Sequence, residues 1–294
     1  MKNNYVQDKI VTYSAYVFLS LLALLCVIPF FIMFSGSITD EKYLQLNGYS
    51  ILPHVFSLKA YAYIFSGHSS IGKAYWVTIF VTVIGTAFSM VITGLLAYSL
   101  SRKELKFRNS LSFIVFFTIL FNGGLVPWYI VTTKYLHLGD TIWGLILPYT
   151  VNAWNMFLLR NFFSTIDDAM LESARIDGAN EVNILFRIVF PLALPGVMTV
   201  GLFYALQYWN DWWLPLLLIN DQKLYPVQYL LRMVLSSMQY ISSGGVGSTY
   251  AASTVPAESI KMAITIVTIG PIIFVYPFVQ KYFIKGLTVG GVKG

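Results

Sequence analysis

Between positions 167 and 181 the sequence gathers Asp167, Asp168, Glu172, Asp177 and Glu181 around a single cation, Arg175. This is the largest acidic cluster in a chain whose formal net charge is +6. The three histidines, His54, His68 and His137, all fall in loops, and no H-E-x-x-H pair offers a metal with a general base. The chemistry open to the cluster is ion pairing. Carboxylates massed in one short loop of a basic, apolar chain point to a reader outside the membrane.

The elements that carry this loop follow from composition. Hydrophobic residues make up 57% of the chain and charged residues 11%, against roughly a quarter charged in a soluble domain. The bilayer is therefore the expected solvent. A hydrocarbon core about 30 Å thick takes roughly 20 apolar residues per helical span. Six runs qualify, at about 14–34, 75–98, 110–130, 141–159, 193–213 and 260–279. An all-α polytopic membrane protein is expected, with one membrane domain over 1–294 and the acidic loop at about 160–191. The first run is too long for a signal-peptide core and reads as an uncleaved anchor. Cys26 is the one cysteine, so no intrachain disulfide forms.

Orientation follows from cations in the short connections. Arg102, Lys103, Lys106 and Arg108 follow the second run, and Lys281, Lys285 and Lys293 lie in the tail. Both segments belong inside the cell, as does the N-terminus with Lys2 and Lys9. The acidic loop is cytoplasmic by the parity of the spans. Two outer loops are long, 35–73 and 214–258. The second contains a predicted amphipathic helix at 229–235, suited to lying at the interface, and a glycine-rich stretch at 242–248 expected to be mobile. In the second run Gly85, Ser89, Thr93 and Ala97 recur every four residues, a small-residue face for close helix packing.

The acidic loop itself predicts a sharply turned helix pair. Ser164 to Asp167 fits a capping box, the first helix runs to about Ile176, and Gly178 supplies the left-handed stop. A second helix begins near Asn180 and enters the membrane near Pro191 and Pro195. At membrane depth, polar groups are costly and mark candidate paths. At 1.5 Å rise per residue Tyr204 and Gln207 fall near the midplane of the fifth run. Trp209, Asn210 and Asp211 follow in its outer half, and Asn152, Trp154 and Asn155 lie near the middle of the fourth. Aromatic faces beside amides and a carboxylate suit sugars, whose C–H faces pack on rings while their hydroxyls take the hydrogen bonds. An interfacial aromatic belt is the competing reading for Trp209, Trp212 and Trp213.

Glu172-Ser173-Ala174, Asp177-Gly178-Ala179, Ile188 and Pro191 together resemble the EAA loop of ABC importer permeases. That pattern reads E-A-A, three residues, G, about nine residues, I-x-L-P. Ser173 replaces the middle alanine and Phe190 the usual leucine, while acid, glycine and proline stay in register. The whole chain is similar to the maltose-type sugar permeases. Asn122 to Pro127 and Lys285 to Gly290 resemble the subgroup for larger, often acidic, oligosaccharides. The resemblance implies a non-catalytic permease in a bacterial cell membrane, paired with a second homologous permease. It further implies two ATPase subunits that hold ATP and Mg, an extracellular solute-binding protein, and no cofactor on this chain. By position, Glu172, Ser173, Ala174, Arg175, Asp177, Gly178 and Ala179 would form or shape the ATPase contact.

Other classes fit less well. No G-x-x-x-x-G-K-[ST] phosphate loop is present, so ATP binds elsewhere. No basic run with interleaved aromatics invites nucleic acid. An intramembrane enzyme lacks an acid–base or metal constellation. A self-sufficient secondary transporter would need several deep ionisable groups, and Asp211 stands nearly alone. An ABC permease for a non-sugar solute remains the alternative.

Overall fold

Two runs fold into helices long and apolar enough to cross a bilayer unaided. One is α1 (Lys2–Ser37), whose apolar part is Val11–Ser37, and the other is α4 (Ile71–Ser101). Between them lie α2 (Glu41–Asn47) and α3 (Lys59–Phe65). The computed structural model describes residues 2–65, 71–242, 258–271, 273, 277 and 280. Among these the chain is helical, with one isolated β-bridge between Thr39 and Phe56 and no strand. Two compact units form, one from 1–69 with 231–271, the other from 70–230 with 272–294.

In the first unit the segment after α1 holds the start of the helix at 258–271. The Glu41 carboxylate accepts the backbone N–H groups of Glu258 and Ser259 at 3.0 and 2.9 Å, along with the Ser259 hydroxyl. Those amides are helix-terminal donors with no partner of their own in the helix. Glu258 in turn accepts from Tyr49 and, at 3.0 Å, from Lys261. Positions 272, 274–276 and 278–279 of the sixth run, the tail lysines and positions 243–248 lie outside the described residues.

The second unit is organised around α4. Gly85, Ser89, Thr93 and Ala97 are all buried, as their spacing predicts. They receive α11 (Leu194–Trp209), which places two tyrosines on the stripe. Tyr208 lies so close over Gly85 that a Cβ there would sit 2.8 Å from its ring. Its hydroxyl donates to the Ile146 carbonyl at 2.9 Å and meets Ser89 at 2.8 Å. Tyr204 pairs with Thr93 at 2.7 Å and accepts the Asn152 N–H at 3.1 Å. Close approach by small residues, plus hydroxyls satisfied across the interface, holds helices together where lipid supplies no hydrophobic drive.

The third, fourth and fifth runs are not the continuous helices their hydropathy predicts. The third breaks after α5 (Arg108–Leu120) and resumes as α6 (Leu125–Ile130), which a π-helical turn extends to Tyr135 at 113° to α5. Asn122-Gly123-Gly124 causes this: Gly124 takes φ 87° and its N–H bonds the Asn122 side chain at 2.9 Å. The fourth opens as 3₁₀ turns around Pro148 and bends 54° into α7 (Ala153–Phe163). Asn152 caps α7 by accepting the Asn155 N–H at 3.1 Å. The fifth bends 93° at Ala193, just before Leu194-Pro195 starts α11, and breaks again ahead of α12 (Trp213–Leu218). The amphipathic segment is longer than predicted, forming α13 (Val227–Ser242).

Asp140 ties the start of the fourth run to the loop beyond α12. Its carboxylate accepts the N–H groups of Asn220 and Asp221 and the Asn220 amide. These bonds hold its pKa below the ordinary value. A folded pKa below the unfolded value of about 3.9 gives stabilisation that is complete above that value. It is lost as pH falls through the folded pKa. Amide exchange at Asn220 and Asp221, corrected for intrinsic rates, should therefore be slow above about pH 4 and speed up below it. Asp140→Asn should remove that pH dependence, and an unchanged profile would refute the tie.

Candidate functional site

The acidic loop folds as an elbow. Helix α8 (Asp168–Ile176) starts at Asp167, whose side chain accepts the Ala169 N–H at 3.1 Å. The predicted cap, Ser164, instead ends α7 and turns its hydroxyl back to the Arg160 carbonyl at 2.9 Å. Asp167 wins because it begins the extended backbone from which a cap side chain reaches the first turn. At the other end Gly178 adopts φ 83°. The Ala179 N–H returns to the Ala174 carbonyl and the Gly178 N–H to Arg175, both at 3.0 Å, which is the glycine-terminated helix stop. Asn180 then caps α9 (Glu181–Ile184) through the Asn183 N–H at 2.8 Å. From there a π-helical turn, Leu185–Val189, and α10 (Phe190–Leu192) lead to the bend at Ala193.

The elbow has an inner and an outer face. Leu171 and Ala174 are buried, while Ala169, Glu172, Ser173 and Ile176, at i, i+3, i+4 and i+7, are exposed. Ile176 is 87% exposed, so an apolar residue sits uncovered beside the Glu172 carboxylate. The outer face therefore carries the Glu172 carboxylate and one uncovered apolar side chain, Ile176.

Arg175 is not on that outer ridge. It donates to Glu181 at 2.8 Å and lies 4.0 Å from Glu104. Hydrogen bonding to Glu181 raises the Arg175 pKa. For Glu181, burial opposes ionisation, but the bonds from Tyr98 and Arg175 outweigh it and hold the carboxyl below its ordinary value. Across the elbow, Arg102 and Lys103 both reach Asp168 at 3.3 Å. Tyr98 and Arg102 were not singled out from the sequence for any such role. Their signal was there: they stand one helical turn apart, immediately after the small-residue stripe.

The membrane-depth residues divide. Tyr204 has no exposed surface and is occupied by Thr93 and Asn152, so in this chain it faces no open space. Asn155 is buried in α7 and Asn152 caps it. Asp211 has three partners: the Tyr149 hydroxyl at 3.0 Å and the N–H groups of Trp213 and Leu214 at 3.0 and 3.3 Å. Trp154 stays 68% exposed, Asn210 is exposed, and Gln207 is half-buried. The Trp209 indole N–H is buried without a partner among the described residues. Beside Asp211, a cleft of about 340 Å³ opens where the chain breaks, lined by Asn122, Trp128, Tyr149 and Trp213 among others.

A family model described as binding-protein-dependent transport system inner membrane component matches residues 1–289. The chain belongs to that family. One similar protein is the polygalacturonan/rhamnogalacturonan transport system permease protein YtcP of Bacillus subtilis (strain 168). It is 44% identical over 282 residues, covering 95% of this chain and 96% of that protein. The arabinooligosaccharides transport system permease protein AraQ of the same organism is 29% identical over 281 residues, 94% of each. Among solved structures, a chain from a bacterial ABC transporter involved in import of the acidic polysaccharide alginate superposes with a TM-score of 0.81. It is 31% identical, with 94% of this chain and 98% of that one covered. The inner membrane component family gives the helical fold its meaning: a membrane permease, a part of a transport system.

Proposed function

We propose that this chain is one of two membrane subunits of an ATP-driven importer of carbohydrate, of the oligosaccharide class and acidic in character. The observation that carries the reading is the elbow. A capped helix presents Glu172, Ser173 and Ile176 outward with no use for them in the chain's own packing. The EAA-type register of Glu172, Gly178 and Pro191 falls on that same elbow. The substrate class draws on one relative named for polygalacturonan/rhamnogalacturonan transport and one from an importer of the acidic polysaccharide alginate.

In this reading six spans form a single permease domain with both termini in the cytoplasm. The elbow is the coupling loop and docks on one of two ATPase subunits, which carry the ATP and Mg. A homologous permease completes the pore, and a solute-binding protein delivers sugar from outside. Trp154, Gln207, Trp209, Asn210 and Asp211 remain the path candidates, while Asn152, Asn155 and Tyr204 serve it by fixing the helices.

The test is reconstitution in liposomes with both permeases, the ATPase and the binding protein. Uptake of oligogalacturonides should require ATP and every component. Movement of solute by this chain alone, without nucleotide, would overturn the proposal. Uptake confined to a non-sugar solute would overturn the substrate class.

A further inference from the structure

The end of α4 grips the elbow at two points, one on each side of the Gly178 turn. At the first, Arg102 is only 7% exposed and uses its whole fork. It donates to the Ser101 hydroxyl at 3.0 Å, the Phe163 carbonyl at 3.1 Å and Asp168 at 3.3 Å, while lying 5.2 Å over the Tyr98 ring. One guanidinium thus joins α4, the end of α7 and the start of α8. At the second point the Tyr98 hydroxyl bonds Glu181 at the start of α9, and Glu181 holds Arg175 from the end of α8. Further along, Phe190 rests where a Cβ on Gly94 of α4 would lie 2.6 Å from its ring.

We infer that Arg102 and Tyr98 are positioning residues that make α8, α9 and the cytoplasmic end of α4 a single lever, through which movement of the elbow reaches the membrane helices. This rests on the coupling role proposed above. Magnitudes favour a geometric over a stabilising purpose. The carboxylates of Asp168, Glu104 and Glu181 are 51 to 62% exposed, so solvent screens these pairs and they add little to stability, while the buried Arg102 guanidinium acts through where it is held. Two fixed points on opposite sides of a turn, in contrast, forbid pivoting at Gly178. A load on α8 therefore passes into α4. From α4 it reaches α11 through Tyr204 and Tyr208. A lysine at 102 could pair with Asp168 but could not hold three acceptors in a planar fork.

The experiment uses the full complex with binding protein, comparing wild type with Arg102→Lys, Arg102→Gln and Tyr98→Phe. Stimulation of ATP hydrolysis by loaded binding protein should fall roughly 5- to 150-fold, the usual span of coupling between sites. The subunits should still co-purify, and unstimulated hydrolysis should persist. Spin labels at Met170 and Val182, exposed positions on either arm, should give one narrow distance distribution in wild type. That distribution should be broadened in Tyr98→Phe, which removes a single oxygen and leaves packing intact. Normal stimulation in both Arg102→Lys and Tyr98→Phe, or an unbroadened distribution in both, overturns the lever. Should wild type itself neither bind the ATPase nor take up sugar with ATP, the coupling reading fails instead.

Discussion

Replacing Glu172 with lysine should strip the ATPase from the purified complex and reduce ATP-driven uptake to background. The carboxylate is exposed in the middle of α8 and makes no hydrogen bond or ion pair among the described residues. Its removal therefore costs the fold little, within about 0.5 kcal/mol for an uninvolved surface site. A charge that meets an oppositely charged groove is another matter. Breaking one partner of a desolvated, hydrogen-bonded pair costs about 2–5 kcal/mol, and every 1.4 kcal/mol is about tenfold in affinity. Glu172→Gln should fall between the two, since it keeps shape and loses charge. Co-purification at fixed membrane expression reads the result. A Glu172→Lys complex with full ATPase content and normal uptake would end the docking role.

A large loss of stability is expected at Gly196. A Cβ there would lie 2.3 Å from Cγ of Phe162 and 2.8 Å from its Cβ. A ring tip can swing aside, but a side-chain root cannot. Gly196→Ala must therefore push α11 away from α7. Overpacking of this kind typically costs about 1–3 kcal/mol, and Gly196→Val should cost more. The thermal midpoint in detergent should drop for the single variant. Adding Phe162→Ala should recover part of the loss, because contacting residues are not additive. A midpoint unchanged by Gly196→Ala, or a double variant whose losses simply sum, would contradict the packing. Gly94 offers a milder control, since the atom in the way is the far tip of Phe190.

Much of this arrangement was legible in the sequence because it rests on local rules. The four-residue recurrence of Gly85, Ser89, Thr93 and Ala97 specified a packed face. Gly178 marked a helix end within a residue of where α8 stops, because only a left-handed backbone lets the last carbonyls be reused. Composition alone fixed the helical membrane class. What escaped were features made by distance or by competition. Hydropathy sums side chains over a window and cannot register a backbone break such as Asn122-Gly123-Gly124. Ser164 and Asp167 are both good caps, and only the path of the chain decides between them. Tyr98 finds Glu181 across 83 positions and Arg102 finds Phe163 across 61, separations no spacing rule spans. Asp211 stood out from the sequence as a nearly lone deep carboxylate on a candidate path. Tyr149 and the first turn of α12 answer most of its demand.

The three interrupted runs bear on how such a chain survives its own synthesis. At each interruption, amides and carbonyls leave the helical ladder, and acyl chains would offer them no partner. An orphaned copy released from the ribosome would carry those openings into bare lipid. Its lifetime before proteolytic clearance should then depend on whether the other components of its transport system are present.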